Sequence, residues 1–240
     1  MSAIRGARER ARVEVTAAIK AEARKQLAAE GAAKLSLRAV ARELGMASSA
    51  LYRYFPSRDD LLTALIVDAY DAMGEAAETA RAEADGMGLP HPDRWTAVAC
   101  AVRDRALAHP HEYALVHGSP VPGYTAPPDT VGPASRVGQV LIGLVHDARL
   151  ADGVAVPRLP PGLRPEAARM AADLAPDLPP AFAVALVSAW AQLFGLISFE
   201  VFGQFTRVVE ARELFFRHAV HELGRSVGLL EGRPGGGAGT

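Results

Sequence analysis

Apolar residues recur at helical spacing through most of the chain. The clearest case is the segment 36–44, where apolar side chains at positions i, i+3, i+4 and i+7 fall on one face of a helix. These residues are Leu37, Val40, Ala41 and Leu44. Ser36 stands at the N-cap position, where its hydroxyl can accept a hydrogen bond from a free amide of the first turn. Gly45 is expected to end the helix, because glycine adopts positive φ without a steric penalty.

A second short helix, residues 48–55, is predicted after a tight turn at residues 45–47. Leu51 and Phe55 lie four residues apart and therefore share its buried face. Its outward positions hold Ser49, Tyr52 and Arg53. Hydroxyl, aromatic and guanidinium groups can bind base edges, contact thymine methyls and neutralise phosphates. This pattern is typical of a helix-turn-helix that reads DNA.

Prolines divide the rest of the chain. Of the 17 prolines, 15 lie between Pro90 and Pro180, and proline interrupts helices because it lacks an amide N–H. The sequence therefore predicts long helices on either side of this region and shorter helices joined by rigid loops within it. No stretch of useful length alternates between apolar and polar residues as a strand would. We expect an all-α protein of roughly nine or ten helices.

A long helix is predicted to begin at about residue 58 and to end near residue 84. Ser57 is its expected N-cap, and Asp59 and Asp60 in the first turn favour the positive end of the helix dipole. Because it would link the predicted DNA-reading segment to the rest of the chain, this helix is the expected route for any signal between them.

Charge is distributed unevenly along the chain. Residues 1–60 hold 12 Lys and Arg against 7 Asp and Glu, a net charge of +5, which leaves −6 for the remainder of a chain whose total is −1. Only residues 1–60 therefore carry the net positive charge that favours binding to a polyanion such as DNA. Four arginines near the N-terminus form either a mobile basic arm that reaches phosphates or a solvated leader. They are Arg5, Arg8, Arg10 and Arg12.

Enzyme chemistry finds little support in the residues. The sequence has no GxSxG elbow, no P-loop and no GxGxxG. His109, His111 and His117 lie near Cys100, but at a helix break such imidazoles are more often structural than metal ligands. Cys100 lies in an apolar helical stretch, which favours a buried, unreactive thiol. Ser119 has no acidic partner placed by the sequence. We expect no enzyme activity, no metal and no cofactor.

Cellular location follows from cysteine content and hydropathy. A single cysteine excludes an intrachain disulfide and favours a reducing compartment. Residues 182–203 approach the length of a membrane span, but Glu200 lies inside the segment and no basic flank is close. We therefore expect a cytoplasmic protein without a membrane span, in which this helix is covered by its own domain and by a partner subunit.

Residues 4–73 resemble the N-terminal domain of TetR-family transcriptional regulators. The resemblance rests on the helix-turn-helix, on the run from Leu51 to Arg58, and on an amphipathic first helix closed by Gly31. The apolar face of that helix holds Val15, Ile19, Ala23 and Leu27. The chain departs from the family pattern at Ala47, where a serine or threonine usually caps the recognition helix. We expect the cap to move to Ser48, and the operator preference is not transferable.

The second half is similar to a TetR subgroup with a Trp-His-Gly-type motif. The similarity lies in residues 113–124, together with Trp190 and Phe194-Gly195. The resemblance implies a DNA-binding domain at residues 1–60 with its motif at about 37–56, and a helical regulatory and dimerisation domain at residues 61–228. The glycine-rich tail, residues 229–240, is expected to be disordered.

The TetR resemblance also implies which residues face DNA. The base-facing and phosphate-facing candidates on the recognition helix are Ser48, Ser49, Tyr52, Arg53 and Tyr54. Arg58, which replaces the family's usual lysine, is expected to bind a backbone phosphate at the start of the long helix. Ser36 and Arg38 are expected to contact the opposite phosphate wall. The predicted partner is double-stranded DNA with a palindromic operator.

A small-molecule effector and a homodimer complete the prediction. Aromatic candidates for an effector pocket, which equally well fill a core, are Trp95, Tyr113, Tyr124, Trp190 and Phe194. The last two long helices show more apolar surface than one side needs, so two such pairs would bury the excess as a four-helix bundle. We expect a repressor released by an unknown effector. The alternative is a helical protein-interaction module that does not bind DNA.

Overall fold

The computed structural model describes residues 2–151 and 153–230, and describes only the backbone of residues 2–5. Within this part of the chain there are ten α-helices and no β-strand, so the predicted all-α fold is confirmed. Val154 and Leu229 form an isolated antiparallel bridge. The disordered tail predicted from residue 229 is wrong at its start, because Leu229 is buried in this bridge and the Leu230 amide donates to the Gly153 carbonyl. Residues 231–240 of the tail lie outside the described residues.

The helices follow one another with short connections. In chain order they are α1 (Ser2–Glu30), α2 (Leu37–Glu43), α3 (Ser48–Leu51), α4 (Arg58–Gly86), α5 (His91–Ala108), α6 (Pro110–His117), α7 (Val131–Leu150), α8 (Arg164–Leu174), α9 (Pro180–Val201) and α10 (Arg212–Ser226). Three 3₁₀ turns, Ala32–Lys34, Pro128–Thr130 and Pro161–Leu163, precede α2, α7 and α8. The α4 helix ends two residues later than the sequence predicts.

The helices divide between two compact units. The N-terminal unit comprises Met1–Asp71 and His109–Ala134, and the C-terminal unit comprises Ala72–Ala108 and Ser135–Thr240. Helix α4 contributes residues to both units, and α6 with its following loop belongs to the N-terminal unit. The domain boundary expected after residue 60 stays a prediction.

The N-terminal unit packs α1, α2, α3 and the first turns of α4 around one apolar core. Ile19, Val40, Leu51 and Leu61 are completely buried there. Apolar residues from α6 and its loop pack against the same core from outside, and these are Leu115, Val116, Val121 and Tyr124. The burial removes the predicted apolar face of each short helix from water and so stabilises helices too short to persist alone.

The core of the C-terminal unit centres on Trp95 of α5. Its indole N–H donates a 3.0 Å hydrogen bond to the carbonyl of Val220 on α10. Gly224 on α10 faces the same ring, and a Cβ there would lie 3.1 Å from Trp95 Cδ1. Phe182 of α9 and Phe216 of α10 are also buried. Helices α5, α9 and α10 therefore all pack against one another around these aromatic side chains.

A buried ion pair joins α5 to α9 within this unit. The guanidinium of Arg103 donates two 2.7 Å hydrogen bonds to the carboxylate of Glu200 and lies 5.2 Å from the ring centroid of Phe216. Within the described residues, α9 is the one helix long and apolar enough to cross a bilayer, a property that core helices of water-soluble proteins share. Its acidic residue has a cationic partner inside the protein.

Two glycines allow α4 and α7 to approach closely in the C-terminal unit. A Cβ at Gly74 of α4 would lie 2.7 Å from Arg136 Cβ, and a Cβ at Gly143 of α7 would lie 2.3 Å from the guanidinium of Arg81. Each arginine also binds a carboxylate across the helix pair. Arg136 binds Glu78 at 2.7 Å, and Arg81 binds Asp147 at 2.5 Å.

Candidate nucleic-acid interface

Local signals define α2 and the turn that follows it. The hydroxyl of Ser36 accepts a hydrogen bond from the amide of Ala39 at 3.4 Å, which confirms the predicted N-cap. Gly45 has φ of +63°, the left-handed conformation expected for a helix-ending glycine. The amide of Met46 donates to the carbonyl of Ala41 at 2.8 Å and closes the turn. The predicted helix-turn-helix geometry is therefore present.

The second helix of this motif differs from its prediction. Regular α-helix covers only Ser48–Leu51, and Ala47 is the N-cap without a side-chain hydrogen bond. The predicted shift of the cap to Ser48 is wrong, because Ala47 is extended (ψ of 134°) and its carbonyl already accepts the Leu51 amide, which places Ser48 in the first helical turn. The chain continues to residue 55 in a tighter turn, in which the Arg53 amide donates to the Ala50 carbonyl.

Four of the predicted DNA-facing side chains on this segment are exposed. They are Ser48, Ser49, Tyr52 and Arg53. Tyr52 is 42 % exposed although it is aromatic, which is unusual for a side chain of this size. Leu51 and Phe55 are buried on the opposite face. The surface therefore presents two hydroxyls, a phenol and a guanidinium next to one another on a rigidly packed helix.

The remaining predicted contact residues differ in exposure. Arg38 on α2 is exposed, whereas Ser36 is half-buried by its capping role. Tyr54 is also half-buried and packs against the apolar core of the N-terminal unit, and its expected DNA contact stays a prediction. Sequence spacing did not separate Tyr54 from Tyr52, because a tight turn rotates successive side chains differently from an α-helix.

Arg58 makes an internal contact that the sequence did not predict. Its guanidinium donates a 2.8 Å hydrogen bond to the carbonyl of Ala32 and a 3.1 Å bond to the carboxylate of Asp59. It therefore ties the start of α4 to the 3₁₀ turn that follows α1. The partner is 26 residues away along the chain, and no local pattern identifies it. The expected phosphate contact of Arg58 stays a prediction.

The start of α4 is fixed as the sequence predicts. Ser57 accepts the amide of Asp60 at 3.1 Å, and its hydroxyl donates to the Asp60 carboxylate at 2.7 Å. Asp59 and Asp60 lie in the first turn, where negative charge is favourable. This cap fixes the residue at which α4 begins after the recognition segment.

The basic residues near the N-terminus are part of α1. The helix begins at Ser2, so Arg8, Arg10 and Arg12 are exposed on its first turns instead of lying in a mobile arm. Alanine, arginine and glutamate dominate this stretch, and all three favour helix. The predicted arm is therefore wrong for these residues, while their charge remains at the surface of the N-terminal unit.

An ion-pair network connects three helices of the N-terminal unit. Asp68 of α4 binds Lys20 at 2.7 Å and Arg24 at 2.5 Å, both on α1. Arg24 also binds Glu112 of α6 at 3.0 Å. Each group is partly shielded from water, so the pairs hold α1 in place more firmly than exposed pairs would. Sequence reasoning missed this network because its members are far apart in the chain.

The aromatic residues predicted to line an effector pocket fall into both units. Trp95 and Phe194 are buried in the C-terminal unit, where Trp190 is 41 % exposed with its ring 5.4 Å from that of Phe194. Tyr113 is buried in the N-terminal unit, and the hydroxyl of Tyr124 lies 2.9 Å from that of Thr63. Trp95 acts as a core residue here. A shared role as an effector pocket stays a prediction.

The histidines and the cysteine show no reactive arrangement. Burial lowers the pKa of His117 to about 4, and its ring lies 4.9 Å from that of Tyr113. Cys100 is buried, which confirms the prediction, and desolvation raises the pKa of its thiol. No group of three or more His, Cys, Asp or Glu that could hold a metal ion occurs in the described part of the chain.

Two family models match this chain. A model described as bacterial regulatory proteins of the tetR family matches residues 19–65, which contain the helix-turn-helix. A tetracyclin repressor-like C-terminal domain matches residues 95–223. The chain belongs to the TetR family of transcriptional regulators. No enzyme family is indicated, and regulators of this family are typically cytoplasmic.

Relatives and solved structures agree with this assignment. The HTH-type transcriptional regulator Rv1816 of Mycobacterium tuberculosis is 42 % identical over 207 residues, covering 83 % of this chain and 86 % of that protein. The crystal structure of SCO4313, described as a regulatory protein, has a TM-score of 0.72 at 33 % identity, covering 90 % of this chain and 97 % of that one. A tetR-family protein from Rhodococcus RHA1, at 16 % identity and TM-score 0.60 over 90 % and 98 % of the two chains, shares the fold. This TetR-family chain is a DNA-binding transcriptional regulator.

Proposed function

We propose that this TetR-family protein is a cytoplasmic repressor that binds a palindromic operator as a homodimer and is released by a small-molecule effector. The observation that carries the proposal is the exposed group on the recognition segment, Ser48, Ser49, Tyr52 and Arg53, opposite a buried apolar face. Such groups on a helix that fits the major groove can form base and phosphate contacts together.

Different side chains have different roles in this complex. Arg53 is the candidate for base readout, since its exposed guanidinium can bind guanine at two points. Tyr52 and Tyr54 contact phosphates or thymine methyls, Arg38 and Ser36 contact the opposite backbone, and Arg58 adds a phosphate contact. Phosphate contacts set orientation and affinity, whereas base contacts set the preferred sequence.

The proposed dimer forms through α9 and α10. Ile197 of α9 and Phe216 of α10 are buried within the C-terminal unit and are not available to a partner subunit. Large apolar side chains remain exposed on both helices and on the turn between them, and these are Val187, Trp190, Phe199, Phe202, Val208, Leu214 and Phe215. A second copy that covers them would form a four-helix bundle and place two recognition segments about 34–36 Å apart.

The proposed effector acts by differential affinity for two states. A ligand that binds more tightly to the form unable to grip the operator shifts the population away from DNA. The similarity to the Trp-His-Gly subgroup at residues 113–124 supports a regulatory role for the second half, and Trp190 with Phe194 supports an aromatic pocket there. If a ligand at saturating concentration left operator affinity unchanged, the proposed release of the operator by that ligand would be contradicted.

DNA reading is tested with duplexes that the protein selects from a random pool, using fluorescence anisotropy over a range of salt concentrations. Arg53→Ala should reduce discrimination between selected and random duplexes by about 1–3 kcal/mol, whereas Arg58→Ala should weaken both alike. Arg169→Ala, at an exposed arginine of α8 outside both proposed surfaces, is the matched control and should change neither affinity.

Two outcomes contradict this assignment. If both variants lose affinity equally on both duplexes, Arg53 does not read bases. If the wild-type protein binds duplex DNA without a steep decrease in affinity at higher salt, it does not neutralise phosphates, and a helical interaction module becomes the better interpretation.

Dimerisation is tested by sedimentation equilibrium. Phe199→Glu and Leu214→Glu each place a charge on the proposed interface and should produce monomers. Leu150→Glu changes an apolar side chain of comparable exposure at the end of α7, 71 % against 72 % for Leu214, and should leave the dimer intact. Equal effects of all three variants would exclude α9 and α10 as the specific interface.

A further inference from the structure

A cleft of about 430 Å³ lies within the N-terminal unit and is lined in part by α6, the helix that also carries Tyr113. One wall is the end of α1 and the 3₁₀ turn, with Leu27, Gly31 and Ala33. The other wall is formed by α6 and its loop. Its volume falls in the range of roughly 300–1,000 Å³ that small-molecule sites occupy.

The segment that resembles the Trp-His-Gly subgroup forms the second wall. Residues 114, 115 and 119–122 all line the cleft, while Leu115, Val116 and Val121 also pack against the core of the DNA-reading helices. Leu115 and Val121 therefore do both, since they pack against the core of the helix-turn-helix and also line the space beside it. Dimerisation and DNA contacts do not account for this arrangement.

The lining indicates the chemistry of an occupant. None of its residues is Asp, Glu, Lys or Arg, and apart from His111 and Ser119 they are glycine, alanine, leucine, valine and proline. No lining residue supplies a counter-charge, so a charged molecule gains no ionic interaction here to offset any hydration that it loses. The lining therefore fits an uncharged, mainly apolar molecule with a polar group able to bond the imidazole or the hydroxyl.

The position of the cleft connects it to the DNA-reading surface. Ala32 lines the cleft, and its carbonyl accepts the 2.8 Å hydrogen bond from Arg58 at the start of α4. Arg58 follows the recognition segment by only a few residues. An occupant that displaces the 3₁₀ turn Ala32–Lys34 would alter this bond and, with it, the direction in which α4 leaves the motif.

We propose that this cleft, whose lining does not include Trp190 or Phe194 of the C-terminal unit, is an effector site for an uncharged, mainly apolar molecule, and that its occupation weakens operator binding. The proposal rests on the DNA-binding function proposed above. A small shift at the cleft is sufficient, since coupling between two sites of a protein commonly changes affinity by about 5–150-fold.

The test uses 2-naphthol as an uncharged probe and 2-naphthoate as its charged counterpart, with ¹⁵N-labelled full-length protein. Addition of 2-naphthol should shift the amide signals of Gly31, Ala33 and Ala114, and should weaken affinity for the selected duplex at least fivefold, whereas 2-naphthoate should do neither. Ala114→Phe fills the cleft and should abolish both effects. Ala126→Phe, an exposed alanine outside the lining, should retain them.

A second filling variant, Ala33→Trp, replaces an exposed residue and preserves the test if Ala114→Phe does not fold. The proposal is overturned if 2-naphthol shifts no lining amide at its solubility limit, if the shifts persist in both filled variants, or if the amides shift while operator affinity stays constant. The amide shifts test the cleft without DNA. If the protein without 2-naphthol did not bind duplex DNA, that result would contradict the proposed DNA-binding function and not the binding of 2-naphthol in the cleft.

Discussion

The helix-turn-helix and the C-terminal unit are stabilised by contacts of different range. In the helix-turn-helix, Ser36 caps an amide three residues away, and Ser57 does the same for α4. In the C-terminal unit the hydrogen bond between Trp95 and Val220 spans 125 residues, and the pair of Arg103 and Glu200 spans 97. Local contacts specify where helices begin and end, whereas distant contacts specify which helices pack together.

This difference leads to an energetic expectation. A lost cap removes one hydrogen bond whose partner can turn to water, so its effect is small. A lost member of a buried distant pair leaves the other member without water or partner, so its effect is large. Four predictions test this contrast, from the largest expected effect to the smallest.

Arg103→Ala should cost about 3–5 kcal/mol of unfolding free energy, because it leaves the buried carboxylate of Glu200 without its partner. Chemical denaturation followed by circular dichroism measures the change. Replacement of both members by apolar residues, Arg103→Met with Glu200→Leu, should recover most of the loss. Arg217→Ala removes an exposed pair with Glu213 and is the control, with an effect below about 1 kcal/mol. If Arg103→Ala and Arg217→Ala lost equal unfolding free energy, the expected difference between a buried and an exposed ion pair would be contradicted.

His117 should make the stability of the N-terminal unit depend on pH. Burial lowers its pKa from 6.5 to about 4, so below pH 6.5 the unfolded chain binds the proton more readily than the folded protein. Stability is complete above the unfolded pKa and should decrease by about 3 kcal/mol as the pH falls to 4.

The measurement is the difference in unfolding free energy between wild type and His117→Leu across this range. The difference cancels the titration of carboxylates common to both proteins, and only the part due to His117 should change with pH. A difference independent of pH would show that the imidazole is not protected from protonation. This result would extend the contrast to the N-terminal unit, since His117 is a half-buried group there that makes no helix cap.

Gly74→Ala should destabilise the protein by about 1–3 kcal/mol through overpacking, because the added methyl group would lie 2.7 Å from Arg136 Cβ. Gly138→Ala, on α7, is the matched control. Its Cβ would meet nothing within 4 Å, so the higher helix propensity of alanine should stabilise the protein by up to about 1 kcal/mol. Thermal unfolding of the two variants should shift in opposite directions, and shifts in the same direction would contradict close packing at Gly74.

The range of each contact also explains what could be predicted from sequence. The all-α fold, the cap at Ser36, the turn at Gly45 and the start of α4 follow from patterns a few residues long. The bond from Arg58 to Ala32 could not be predicted, because nothing near Arg58 distinguishes an internal acceptor from a phosphate. Tyr54 was placed with Tyr52 for a related reason. Spacing assumes a regular helix, and the recognition segment tightens after Leu51.

Changes at the N-caps of α2 and α3 have the smallest expected effects on stability, and the two effects should have opposite signs. Ser36→Ala removes the hydrogen bond to the amide of Ala39 and should cost about 1 kcal/mol. Ala47→Thr adds a hydroxyl at the N-cap of α3, where no side-chain bond is present, and should stabilise the protein by about 0.5–1 kcal/mol. Both changes are measured by denaturant midpoints. If Ala47→Thr has no effect, then the tight turn after Leu51, rather than the missing cap, limits the stability of the recognition segment.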